Sequence, residues 1–363
     1  MTYKDTLLFI GQSLTINDNK KNKTIIGEQL KTNYIDWEAV VKVSTANFVF
    51  PALYCNFKRA DFLHYLPEDL VQYMEHITNL NRKRNQRIIS QAKEINMLLL
   101  EHSIVAVFLK GTGNLLDGLY YDVAERMVGD IDFIVSQEDY EDTINILKHN
   151  RYRVFKESDI KKTFHWHYPA LVHPEKIAAV EVHNKILKKP FDDLLSYEII
   201  KKDLIKKATF HFLSNSNKLL NALLPKIIND HLYYSQNISL RTMYDVFLIT
   251  KKKSYEIDIK NKVILKKINN FLGCIKMVLN YPETIRVEES KRLQKFKKSY
   301  LARLDKSKKE KLKSDIIDYL TKYQEKIYIL KMAFYNKEYK NYVLKKIVEM
   351  DFYKRLFGFK PTD

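Results

Sequence analysis

The chain contains little cysteine, which limits the kinds of site it can form. Only two of its 363 residues are cysteines, Cys55 and Cys274, and no CxxC or cysteine–histidine spacing surrounds them. This pattern excludes a disulfide framework and argues against a structural zinc site. We therefore expect a protein of the reducing cytoplasm with no disulfide partner.

Long apolar runs and flexible linkers are also missing. The most apolar stretch, 97–109, is interrupted by Glu101 and His102, and no run approaches the roughly 18 apolar residues of a membrane span. Leu7–Ile10 follows Asp5 and lacks the length and cleavage site of a secretory signal. With eight glycines and eight prolines, the chain has no Gly/Ser-rich or Pro-rich linker. We expect no membrane partner.

Positive charge is in excess: lysine and arginine number 62, aspartate and glutamate 44, and the formal net charge is +18. One interpretation is an anionic partner, such as a nucleotide or nucleic acid. The other is a compositional bias spread over the surface, which we favour. Residues 288–314 present the same alternatives, a basic surface or a solvated helical face, and we again favour the solvated face.

Hydrophobic periodicity divides the chain into three parts. Residues 1–102 are a mainly helical segment, 103–189 an α/β core and 190–363 a larger helical domain. The first 35 residues predict a short helix and a loop, and from Pro190 onward the pattern is helical to the end. The clearest predicted helices are 36–50, 52–57, 68–102, 114–122, 138–149, 219–234, 240–250, 257–279 and 308–334. The predicted strands are 104–109, 130–135, 152–155, 164–172 and 178–183.

A glycine-containing turn ends the first apolar strand. Lys110, Gly111 and Thr112 follow Leu109 directly, with Gly113 after them. Glycine lets backbone N–H groups approach an anion closely, and a helix that starts after the turn adds a favourable dipole. Alone the turn is weak evidence of function, because such turns are more often structural.

Two aspartates interrupt the next buried strand. Asp130 and Asp132 stand two apart, so both carboxylates lie on one face while Ile131 lies on the other. Two like charges this close repel unless they share a proton or hold a metal ion between them. Mg²⁺ prefers carboxylate oxygens and commonly keeps substrate phosphate among its ligands. A phosphate cradle followed by an acid pair therefore predicts phosphoryl chemistry.

Glu181 repeats the pattern of an acid inside an apolar strand, with His183 on the same face. If this strand lies beside the aspartate strand, three carboxylates converge, as two-metal phosphoryl transfer requires. Glu181 would then complete the metal site and accept the proton of an incoming hydroxyl. The alternative is an edge-strand glutamate that faces water.

Other charged residues allow two interpretations each. Arg126 is either a clamp on triphosphate oxygens or a loop arginine paired with an acid. Arg241 and Asp245 stand four apart and either pair on one helical face or border the cleft and contact the base or the acceptor. The histidines of the last strands could suit a metal, contact substrate or be packed and hydrogen-bonded; they are His165, His167 and His183.

Together these residues resemble a known family. Leu109-Lys110-Gly111, then Arg126…Gly129-Asp130-Ile131-Asp132, then Val180–His183 are similar to the uncharacterised nucleotidyltransferase family of the polymerase-beta-like superfamily. Residues 37–53 and Leu240–Asp245 also resemble that family's flanking segments, so the likeness covers roughly 30–250. One departure is the turn, which is Gly-Thr here and usually Gly-Ser or Gly-Gly in the superfamily; threonine keeps the hydroxyl and the N–H.

The resemblance implies an α+β fold with a small mixed sheet, and transfer of a nucleoside monophosphate from an NTP, most simply ATP, to an acceptor with release of pyrophosphate. It implies two Mg²⁺ ions on Asp130, Asp132 and Glu181, and a triphosphate held by the Lys110–Thr112 turn and Arg126. A small molecule, a protein and an RNA end all stay open as acceptor. The rival hypothesis is a binding protein that holds nucleotide or RNA without chemistry.

Overall fold

A computed structural model describes residues 1–32, 35–155, 167–251, 257–280 and 285–305, and a few residues between 316 and 344. Within them, helices surround one mixed β-sheet, so the predicted α+β class is confirmed. The helices are α1 (Tyr3–Ser13), α2 (Lys20–Thr32), α3 (Trp37–Ala46), α4 (Phe50–Arg59), α5 (Glu68–Glu101), α6 (Lys110–Leu116), α7 (Tyr140–His149), α8 (Tyr197–Ile200), α9 (Asn215–Ile228), α10 (Leu232–Ser235), α11 (Leu240–Thr250), α12 (Lys262–Leu279) and α13 (Lys291–Leu304).

The sheet has seven strands in the described residues, in the spatial order β3-β4-β5-β2-β1-β7-β6. Its central pair, β2 and β5, is parallel, and β1 runs antiparallel to β2 on the other side. The strands are β1 (Val107–Phe108), β2 (Asp130–Ile134), β3 (Arg153–Val154), β4 (Leu171–Val172), β5 (Ala179–His183), β6 (Ile205–Lys207) and β7 (Phe210–Phe212).

Two parts of the expected secondary structure are wrong. The region after Pro190 is not wholly helical, because β6 and β7 form a hairpin whose second strand pairs with β1 and extends the sheet. The first 35 residues hold two helices, α1 and α2, rather than one short helix and a loop. In both places long-range packing decides the structure: α1 packs against α12 and α13 from the other end of the chain.

Several boundaries also differ from the expectation. Helix α6 starts at Lys110 rather than 114, and the helix expected over 219–234 breaks into α9 and α10 at His231, which has a left-handed φ of 54°. The N-cap at Asp36 is confirmed, because its side chain accepts the Ala39 N–H. Residues 164–166 of one expected strand, including His165, and most of the helix expected over 308–334 lie outside the described residues.

The basic segment after 288 forms an amphipathic helix as far as the structure describes it. Helix α13 buries Leu293, Phe296 and Tyr300, spaced three and four apart, and packs them against α12. Most of its lysines and arginines lie on the exposed side. Over 291–304 the basic side chains are therefore exposed, as both interpretations require, and the solvated face stays a prediction.

Both cysteines lie in the protein interior. Cys55 and Cys274 are buried free thiols, and burial raises the pKa of each to about 12. Among the helices that the structure describes, none is both long enough and apolar enough to cross a bilayer.

The long helix α5 holds the sheet through buried amide side chains. Asn85 Nδ2 donates to Val123 O at 2.5 Å and Arg126 O at 2.6 Å, and Asn81 Nδ2 donates to Ala124 O at 2.7 Å. Gln91 exchanges two 3.0 Å hydrogen bonds with the backbone of Ala178. These bonds fix the backbone just before β2 and just before β5.

Replacing Asn85 with alanine tests this anchoring. The change removes both bonds from a fully buried side chain, and the carbonyls of Val123 and Arg126 lose a donor. We therefore expect the free energy of unfolding to fall by about 2 to 4 kcal/mol. Chemical denaturation measures it. The exposed Gln86 on the same helix is the matched control, and Gln86→Ala should change stability by less than about 0.5 kcal/mol. Equal stability of the two variants would contradict the anchoring role.

Candidate functional site

The junction between β1 and α6 is a tight strand-to-helix turn. Lys110 makes the turn with a left-handed φ of 49°, a conformation that costs a non-glycine residue about 1 kcal/mol. A Cβ on Gly113 would lie 2.2 Å from Phe108 O, so only glycine permits α6 to sit this close to β1. The Thr112 hydroxyl donates to Asp130 O at 2.8 Å and ties the helix to β2. The residues expected to hold phosphate therefore lie in the first turn of α6.

The three expected carboxylates share one face of the sheet. In the parallel β2–β5 pair, Asp132 stands opposite Glu181, and Asp130 is two residues earlier on the same side. Ile131 and Val180 lie fully buried on the other face. The alternative of an isolated edge-strand glutamate is wrong, because β4 lies on the far side of β5.

Asp132 is the most buried of the three carboxylates. Its Oδ1 accepts from Lys110 Nζ at 2.6 Å and from His183 Nε2 at 2.9 Å, and only 3% of the residue is exposed. Burial disfavours its charge, but Lys110 and His183 more than offset this and hold the pKa of Asp132 well below its usual range. Burial likewise opposes the charge of Lys110, and Asp132 overcomes it and raises the pKa of the lysine.

The surroundings of Glu181 shift its pKa in the opposite direction. Burial and then the neighbouring Asp132 charge raise the pKa of Glu181 to about 8, so its carboxyl is mainly protonated at neutral pH. Its Oε2 lies 3.7 Å from His183 Nε2 and 4.0 Å from His167 Nε2. Burial and then His183 lower the pKa of His167 to about 4. Loss of solvent in the cleft and the Asp132 charge also raise the pKa of Asp130.

One group of side chains has the spacing of a metal site. Asp132, Glu181 and His183 each offer a ligand atom, and these atoms all lie within 4.8 Å of one another. Asp130 lines the same cleft but falls outside this close group, and it is exposed. His183 is thus placed where it could ligate a metal ion, one of the alternatives that the sequence left open. Its contact with Asp132 also allows it to orient that carboxylate.

Arg126 and Asp245 form a buried ion pair. Arg126 Nε lies 3.1 Å from both carboxylate oxygens, and the Tyr120 hydroxyl donates to Asp245 Oδ1 at 2.7 Å. Burial opposes the charge of Arg126, but Asp245 overcomes it and raises its pKa. Of the two alternatives for α11, the Arg241–Asp245 pair is wrong, because Asp245 pairs with Arg126 of the loop before β2. Arg241 lies over the Phe48 ring, and both residues of α11 line the cleft.

These residues line one cleft of about 270 Å³ between the polar face of the sheet and helices α9 and α11. The α9 wall was not expected, although its positions are spaced three and four apart and such a polar stripe is visible in the sequence. Lys218 in this wall pairs with Asp117 at the end of α6. The cleft is lined by Lys110, Gly111, Asn114, Arg126, Asp130, Asp132, His167, Glu181, His183, Lys218, Asn221, Lys226, Asn229, Arg241 and Asp245, among others.

Comparison with known families gives a match over most of the chain. The profile of a family described as uncharacterised nucleotidyltransferase matches residues 33–281. The chain belongs to this family. The matched range includes both central strands, the α6 turn and the α9 and α11 walls of the cleft, and membership supports a general nucleotidyl-transfer role. No curated protein and no solved structure matches this nucleotidyltransferase family member.

The buried pair gives a sharp stability test. Asp245→Asn leaves the Arg126 charge buried without its counter-charge, so we expect a loss of about 3 to 5 kcal/mol in the free energy of unfolding. The matched control is Asp305→Asn, which removes an exposed partner of Lys4 and should cost at most about 1 kcal/mol. Denaturation of both variants at pH 7 measures the difference. A small effect of Asp245→Asn would show that Arg126 is compensated elsewhere.

Proposed function

We propose that the protein is a Mg²⁺-dependent nucleotidyltransferase that moves a nucleoside monophosphate from an NTP to a hydroxyl or phosphate of an acceptor. The observation that carries the proposal is the β2–β5 register, which puts Asp132 opposite Glu181 with Asp130 on the same face. These carboxylates stand beside a strand-to-helix turn that bears a lysine. Acids and a phosphate-binding turn in one cleft are what nucleotidyl transfer needs.

The donor set fits divalent ions. Asp132 and Glu181 offer oxygen ligands within one close group, and Asp130 offers another on the same face. Mg²⁺ prefers such oxygens, whereas His183 as a direct ligand would suit Mn²⁺ or Zn²⁺ better. When bound, the ions would neutralise phosphate charge and polarise the α-phosphorus.

The turn at the start of α6, with its one lysine, then holds the triphosphate. Lys110 forms an ion pair with Asp132, and 37% of its side chain is exposed. Its Nζ can therefore leave that carboxylate for a phosphate oxygen. The first N–H groups of α6 are free of helical partners, as at any helix start, and can donate to the same anion. The Thr112 hydroxyl contributes by fixing the turn to β2.

The transfer itself makes one bond and breaks one. The acceptor oxygen attacks the α-phosphorus, the bond to the β-phosphate oxygen breaks, and pyrophosphate leaves. Glu181 in its ionised form accepts the proton of the attacking hydroxyl. His167 stays neutral at physiological pH because of its lowered pKa, so it adds no positive charge beside Glu181.

Asp132→Asn tests the assignment of the acids. The variant keeps the side-chain shape but loses the charge that a divalent ion needs, so we expect NMP transfer from labelled NTPs to fall below detection while circular dichroism stays unchanged. Incubation of each labelled NTP with cell extract is the assay, and it also reveals which acceptor becomes labelled. Asp142→Asn, an exposed aspartate on α7, is the control. Wild-type turnover by Asp132→Asn would refute the assignment.

Metal affinity should depend on pH. Because the pKa of Glu181 is raised to about 8, an incoming ion must displace a proton below that pH. We expect the affinity for Mn²⁺ to rise by up to about tenfold per pH unit between pH 6 and 8 and then to level off. Calorimetric titration measures it, and Glu181→Gln should bind weakly without this slope. A flat profile in the wild type would contradict the raised pKa.

The rival binding function predicts different titrations. A protein without chemistry would bind NTP equally well with and without Mg²⁺, or bind RNA tightly in a way insensitive to substitution of the three acids. Titration of ATP with and without Mg²⁺ separates the two.

A further inference from the structure

An aromatic ring at the edge of the cleft region is held in an unusual position. Phe48, at the corner between α3 and α4, has a left-handed φ of 58°, which bulky residues rarely adopt, and is 46% exposed. Strained residues of this kind concentrate at functional sites. The Phe48 ring supports the Arg241 guanidinium, whose Cζ lies 4.6 Å from the ring centroid. This distance is that of a cation–π contact.

The corner and the helix that carries Arg241 are fixed to each other. Asn47 Oδ1 accepts the Leu240 N–H at 3.1 Å, and Ser239 caps the same helix start by accepting the Thr242 N–H. Arg241 follows Leu240 directly. The strained corner therefore sets the direction from which the guanidinium enters the cleft.

Arg241 forms no ion pair with the described part of the chain. The carboxylate one turn later, Asp245, is taken by Arg126, and no carboxylate among the described residues forms an ion pair with Arg241. One long bond, to Met127 O at 3.4 Å, uses only one of its five N–H donors. Burial and then the nearby Arg126 charge lower its pKa. The nearby charges of Asp245 and Asp130 only partly offset this effect. A half-buried guanidinium without an ion-pair partner and with unused donors can bind an anion.

We propose that Arg241, supported by Phe48, is a receptor for a phosphate group of the substrate. Arg241 lines the same cleft as Lys110 and Asp130, and guanidinium binds phosphate with two parallel hydrogen bonds. The phosphate is either a terminal one of the NTP or one carried by the acceptor. The two candidate phosphates, of the NTP or of the acceptor, rest on the proposed transfer function. The anion site itself rests on the geometry of Arg241.

Calorimetric titrations of the full chain test the receptor with two probes. One is tripolyphosphate with Mg²⁺, and the other is inorganic phosphate, added with and without a saturating non-hydrolysable ATP analogue. The variants are Arg241→Gln, which removes the charge, and Arg241→Lys, which keeps the charge and loses the fork. Arg87→Gln, an exposed arginine of α5 outside the cleft, is the control for the loss of one charge.

For a terminal phosphate of the NTP, Arg241→Gln weakens tripolyphosphate binding by about tenfold or more, with Arg241→Lys in between. For an acceptor phosphate, tripolyphosphate binding persists and inorganic phosphate no longer binds beside the analogue. Affinities equal to those of Arg87→Gln in every titration, or no binding of either probe by the wild type, would overturn the proposal. A wild type that binds phosphate through Arg241 but transfers no nucleotide would remove the proposed function and leave the receptor.

Discussion

The structure depends on the hydrogen bonds that buried amides of one helix make to the backbone segments between the strands. Helix α5 spans 34 residues, and its Asn85 and Gln91 reach the chain before β2 and before β5 respectively. Further along, Asn96 donates to Thr209 O in the β6–β7 turn. Buried amides stabilise only where their partners are well placed. The helix therefore positions the chain that leads into β2 and into β5, the two strands whose register sets Asp132 opposite Glu181.

Charge compensation is the second constraint, because the cleft gathers many ionisable groups in little water. Asp132 is compensated by Lys110, and Asp245 by Arg126. A second buried set lies behind the Arg126 loop, where Glu125 contacts Arg59 and accepts from the Tyr244 hydroxyl. Each of these three acids has a basic partner from a different element, so the three pairs also fix the elements relative to one another. Arg241 differs from these basic residues, because no carboxylate of the described residues forms an ion pair with it. Its guanidinium lies over the Phe48 ring instead.

The sequence predicts the centre of the fold better than its surroundings. Strands β2 and β5 are visible because apolar residues of strand length surround Asp130, Asp132 and Glu181, and the α5 boundaries follow from proline and acids at its start. The hairpin β6–β7 is not visible in the sequence, because β6 is short, lysine-rich and exposed, and the hairpin joins the sheet only through the pairing of β7 with β1. Asn85 is equally hidden: an amide in a helix normally faces water, and only the loop packed above it makes it a core residue.

The ion pairs of the site follow the same division. Spacing along α11 points to Arg241 as the partner of Asp245, because residues four apart meet on a helix. The real partner comes from a loop more than a hundred residues earlier, and no local pattern carries that contact. The carboxylates, in contrast, lie on one face of their strands because of strand periodicity. They come together once β2 and β5 are neighbours in the sheet.

The contact between Lys110 and Asp132 has a consequence for which ions can enter. The ammonium is tethered to the chain by its own side chain and so competes at a constant, high local concentration, whatever the salt outside. A monovalent ion offers no more charge than the lysine it would replace and gains little by entering. A divalent ion that arrives with a polyphosphate offers more charge to the carboxylate and a new anion to the lysine, so the exchange satisfies both partners at once.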